Sequence, residues 1–115
     1  MKAKRRNHYD VTNTVRISHP QDVCKAVKKI LSGLYPQADL KVIDRSFDTF
    51  TQLYAGTLPG YLGCDTWYHD AQHSLDCALA TARVLDGYER SEPRDNQLGE
   101  RRGLLGVIVA LFHDA

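Results

Sequence analysis

The sequence predicts an all-α fold of four helices, and three features carry that prediction. Apolar residues recur at steps of three and four through residues 23–34, 40–54 and 75–85, which sets them along one side of a helix. Proline, glycine and polar clusters fall between these stretches, where turns are needed. A last apolar stretch at 104–112 makes the fourth helix.

The elements follow in order. Ser18, His19 and Pro20 open the first helix, with serine as its cap and proline in its first turn. Val23, Ala26, Val27, Ile30, Leu31 and Leu34 form its stripe, and Pro36 stops it. The second helix runs over about 39–54, with Leu40, Ile43, Phe47, Phe50 and Tyr54 on one face. Both stripes read as core. Residues 56–63, GTLPGYLG, are rich in turn formers and predict an irregular loop. Asp65 or Thr66 caps a third helix reaching about Tyr88, buried through Leu75, Ala78, Leu79, Ala82 and Leu85. Residues 89–97, with Pro93, read as a surface loop. The fourth helix begins near 98–101, and its apolar residues point in nearly every direction. A central helix packed on several sides is expected.

The bulk properties fit one small soluble domain. A chain of 115 residues can bury roughly two-thirds of its unfolded surface, enough for a single core. The net charge of +1 gives no general field toward nucleic acid or an anionic membrane, so neither is expected as a partner. Basic residues gather only in the opening MKAKRRNHYDV, which no apolar run follows, so a secretory signal is not expected. Residues 1–17 are expected to be a basic, disordered tail, and 18–115 the domain. The three cysteines, Cys24, Cys64 and Cys77, are odd in number and not closely paired. Reduced thiols in the cytoplasm are the simplest account. The run at 104–112, broken by Gly106, is far shorter than the roughly 20 residues that span a bilayer.

Three of the five histidines stand in suggestive places. His69 and His73 are four apart on the third helix, so both rings lie on one face. A helix can offer two imidazoles to one metal at that spacing, although chance produces it often. Asp70 and Asp76 lie three positions to either side of His73 and are at hand to orient its ring. His113 and Asp114 follow Leu111 and Phe112 at the end of the fourth helix. If buried there, they need compensation such as a divalent cation. The alternative is that the helix surfaces at its end and both groups are solvated. His8 and His19 carry no motif.

Taken together, YHDAQHSLD and the His-Asp pair in ALFHDA, 40 positions after His73, resemble the HD superfamily of metal-dependent phosphohydrolases. The likeness is to its cyclic-nucleotide-phosphodiesterase-like members, and it covers residues 67–115. It implies an HD-domain-like helical bundle. It also implies that His73, His113 and Asp114 are metal ligands, and that His69 gives a proton to the leaving oxygen. Tyr68, Asp70 and Asp76 match supporting positions, with Asp70 standing where the family has asparagine.

The resemblance implies zinc, iron or manganese at the imidazole and carboxylate donors, with magnesium at a second, oxygen-rich position. Hydroxide formed at the metal would attack a phosphate ester such as a cyclic nucleotide, while His69 acts as general acid. Trp67 and Tyr68 could stack on a base, though packing against a neighbouring helix is the plainer role. The family pattern also has a further aspartate on a later helix, which this sequence does not contain. The chain is therefore expected to be a fragment, C-terminally incomplete, or to cover the fourth helix with another chain, as a homo-oligomer would. The alternatives are a catalytically inactive HD-like regulatory or binding module and a helical interaction domain.

Overall fold

The described residues form four α-helices, α1 (Pro20–Leu34), α2 (Lys41–Ala55), α3 (Trp67–Ser91) and α4 (Glu100–Phe112), with one 3-10 turn at Arg94–Asn96. The computed structural model describes residues 9–10, 12–55 and 67–114, with the side chains of 67–70 outside the description. The expected loop at 56–63, its following cap at Asp65 or Thr66, and Cys64 lie outside the described residues. Among the described residues there is no strand, only an isolated bridge between Tyr9 and Arg16. The all-helical class is therefore as the apolar periodicity predicts. Among the described residues no helix is long and apolar enough to cross a membrane.

The core is built from the predicted stripes. Val23, Val27 and Leu31 of α1, Ile43, Phe47, Phe50 and Tyr54 of α2, and Leu75, Ala78, Leu79, Ala82 and Leu85 of α3 are all buried together. The longest helix, α3, packs against both α1 and α4, while α2 touches each of the others. Phe112 closes the end of α4 against Phe50 of α2, edge to face at 6.0 Å between ring centroids, a favoured aromatic geometry. That contact fixes where the residues after α4 emerge.

Several local expectations change in the folded chain. His19, not Ser18, occupies the N-cap of α1, and no side chain bonds there. Ser18 faces the His19 ring at 3.1 Å instead, and Pro20 starts the helix with no N–H to satisfy. Helix α2 begins at Lys41, whose backbone N–H donates to the Asp39 carboxylate at 3.0 Å.

The expected disordered tail does not extend to residue 17. Asp10 and Ile17 are fully buried, and Arg83 of α3 reaches Asp10 at 2.6 Å. The same carboxylate accepts from Thr12 Oγ1, Thr14 N and Val15 N. Burial alone would raise its pKa, but these hydrogen bonds hold it far below the ordinary carboxylate range. A sequence-local reading sees only a basic, polar segment here and has no means of finding the arginine on α3.

Glu89 likewise lies in α3 rather than in a surface loop, and it is buried. It accepts from Tyr35 Oη at 2.8 Å, Leu98 N at 2.8 Å and Gly99 N at 3.1 Å. The last two tie the backbone just before α4 to α3, which supplies the polar end that Gly99 as N-cap cannot. Tyr35 also sits against Gly103, where an added Cβ would lie 2.9 Å from the ring. The smallest residue is required for α4 to pass so close.

Helix α4 is not covered all round as expected. Val107 and Leu111 are fully buried, whereas Leu105 and Val109 are each 57% exposed. Its apolar residues outnumber the directions in which neighbours meet it.

Candidate metal centre

The two sequence features that suggested a metal come together in space. His73 lies on α3, and His113 and Asp114 form the turn that follows α4. His73 Nε2 stands 3.3 Å from Asp114 Oδ2. His113 Nε2 stands 3.0 Å from the same oxygen. The two imidazole rings meet edge to face, with centroids 5.9 Å apart. Two nitrogens thus address one carboxylate oxygen.

The position of each group has a local cause. His73 is flanked on α3 by buried Ser74 and Leu75, which hold the helix face that carries it at the protein surface. His113 retains helical backbone angles beyond Phe112. Its Nδ1 lies 2.6 Å from the carbonyl oxygen of Ala110. A carbonyl can only accept, so Nδ1 is the donor there, and Nε2 is the ring nitrogen turned toward Asp114. Metal-ligating histidines are commonly oriented by such a bond. The buried Tyr54 hydroxyl lies 3.4 Å from the Asp114 carbonyl oxygen, to which it donates, and 3.5 Å from Ser74 Oγ. It joins α2, α3 and the end of α4 beneath the site.

A third kind of donor joins these groups. Cys77, one turn beyond His73 on the same face, brings Sγ to 3.6 Å from His73 Nε2. One ligand atom each from His73, Cys77 and His113 lie within 4.8 Å of one another. Burial pushes the Cys77 thiol pKa up, and the charges of Asp76 and Asp114 add to that. A cation would reverse that balance, because it binds the thiolate and releases the proton. Cys24 is different. It is buried beside Asp44, and burial first, then that carboxylate, pushes its thiol up to about 11.

The sequence reading singled out the histidines and missed Cys77 as a donor. The available signal was its position four residues beyond His73, which continues the same helix face. Asp76, expected to support the imidazoles, is partly buried and acts on the site through its charge on Cys77. The α3 backbone runs through Trp67, Tyr68, His69 and Asp70, but their side chains lie outside the described residues.

The burial argument for a metal does not hold in the form expected. The side chains of His73, His113 and Asp114 are 60%, 40% and 52% exposed. Helix α4 surfaces at its end, and water reaches both members of the doublet. What favours an ion is the convergence of donors from two helices rather than desolvation.

Compared with models of protein families, with curated proteins and with solved structures, the chain matches none.

Proposed function

We propose that the protein is a metal-dependent phosphohydrolase of the HD type, acting on a phosphate ester such as a cyclic nucleotide. The convergence of His73, His113 and Asp114 carries this reading. These are the groups to which the sequence resemblance gives metal binding, and they are drawn from chain segments far apart. Imidazole nitrogen with one carboxylate oxygen suits zinc, iron or manganese.

The chemistry supplied by a dication at such a centre is activation of water near neutral pH and relief of negative charge at phosphorus. The chain's own groups would do the rest. Asp114 and the Nε2 atoms of His73 and His113 hold the ion, and the Ala110 carbonyl keeps the His113 ring in the binding tautomer. His69 precedes His73 by one helical turn and is the proposed donor of a proton to the departing oxygen. The Tyr54 hydroxyl anchors the Asp114 backbone and so positions its carboxylate.

The test is equilibrium dialysis of the purified chain with zinc or manganese, followed by hydrolysis of bis(p-nitrophenyl) phosphate and of cyclic nucleotides. Uptake of metal and metal-dependent release of product are expected. A protein that takes up no metal overturns the proposal. Metal uptake without hydrolysis would reduce the function to a metal-holding helical module, a reading favoured by the presence of a fourth donor at Cys77.

A further inference from the structure

We infer that Cys77 is a direct ligand of the ion, so that the centre takes a thiolate-accepting, tetrahedral cation of the zinc class rather than magnesium or manganese. The inference rests on the metal-binding reading above and adds a donor that the His-Asp doublet does not contain.

The distances carry it. Zinc binds nitrogen and oxygen donors at about 2.0–2.2 Å and sulfur at about 2.3 Å, which puts neighbouring donors of a tetrahedron roughly 3.3–3.6 Å apart. Here Cys77 Sγ to His73 Nε2 is 3.6 Å, His73 Nε2 to Asp114 Oδ2 is 3.3 Å, and His113 Nε2 to Asp114 Oδ2 is 3.0 Å. These three separations link the four donors in a row, and the ligand atoms that all lie within 4.8 Å of one another are those of His73, Cys77 and His113. Cys77 and His73 are four apart on one helix, so helical geometry sets their side chains as neighbours on one face.

The donor set then determines the class of ion. Two imidazoles, one thiolate and one carboxylate form a mixed sulfur and nitrogen sphere of the kind zinc takes, whereas magnesium and manganese favour oxygen. On binding, the Cys77 thiol loses its proton to solvent as the sulfur–metal bond forms. With Asp114 drawn in beside these three donors the tetrahedron would be filled. Chemistry at the ion then needs a fifth position or the release of one donor.

Cobalt(II) replaces zinc in such sites and reports its ligands by absorption. Titration of the full chain with cobalt(II) is expected to give the visible bands of a tetrahedral site together with a sulfur-to-cobalt charge-transfer band in the near ultraviolet. Cys77→Ser should keep visible bands, lose the charge-transfer band, and bind zinc at least about tenfold more weakly, since even groups that only orient a ligand contribute that much. Excess magnesium should not displace zinc. Circular dichroism of Cys77→Ser and Cys77→Ala checks that helix content is unchanged, and the wild-type spectrum stands whether or not either variant folds. Visible bands without charge transfer in the wild type, or a charge-transfer band that survives in Cys77→Ser, would overturn the role of Cys77 and leave the metal site standing. No uptake of cobalt or zinc would overturn both.

Discussion

His73 on α3 and Asp114 just beyond α4 stand 3.3 Å apart, nitrogen to oxygen, although most of α3, the connecting turn and all of α4 lie between them in the chain. Both side chains are more than half exposed. A contact of this kind between exposed groups contributes little stability by itself. The pairing therefore points to what the two groups could hold in common.

Asp114→Asn is expected to weaken zinc binding at least about tenfold, because it removes the charge while keeping the shape. Calorimetric titration measures this. Zinc at a hundred times the wild-type Kd should stabilise the wild type by about 2.7 kcal/mol through mass action and so raise its melting temperature, and the variant at the same zinc should lose about half of that gain or more. Equal zinc affinity in the two proteins would remove Asp114 from the donor set.

His69→Ala should leave zinc affinity unchanged and lower hydrolysis of the phosphate ester by about a hundredfold or more, the scale of a general acid. Metal analysis alongside the rate separates the two roles. If the variant emerges metal-free under conditions that load the wild type, His69 is a ligand and not the proton donor.

Arg83→Met is expected to destabilise the chain by about 2–4 kcal/mol, because it leaves the Asp10 carboxylate buried without its counter-charge. The pH dependence has a definite sign. The folded-state pKa values of Asp10 and Glu89 are both depressed, in each case by hydrogen bonds that outweigh burial. The unfolded chain consequently binds more protons in acid. Stability from these groups is present above the unfolded carboxyl pKa of about 4 and is lost as pH falls below it. Melting curves between about pH 6 and pH 3 should show a smaller acid loss for Arg83→Met than for the wild type.

Gly103→Ala should destabilise the fold by about 1–3 kcal/mol, the usual cost of overpacking, even though alanine is the better helix former by about 1 kcal/mol. The new methyl meets the Tyr35 ring, which the Glu89 carboxylate holds at 2.8 Å and prevents from moving aside. Combining it with Tyr35→Leu should shrink the penalty, as denaturant unfolding of the single and double variants can measure. A stabilised single variant would mean that the ring yields freely.

The helices and their buried faces were legible in the sequence because each stripe is a local pattern. Val23, Val27 and Leu31, or Phe47, Phe50 and Tyr54, need only the period of one helix to declare themselves. The histidine positions and the closing doublet were legible for the same reason, as spacings within single segments. Their meeting was only an expectation, since no local pattern states the rotation and register of α3 against α4. That packing also brought Cys77 into reach and left Leu105 and Val109 bare. Packing of the N-terminal segment and of the turn after α1 against α3 joined Asp10 to Arg83 and Glu89 to Tyr35, turning an expected tail and an expected surface loop into buried polar anchors. Periodicity along one helix fixes which residues share a face. Only the contact of one helix with another decides what that face meets, because side-chain shape and buried hydrogen bonding across the interface set the angle and depth of approach.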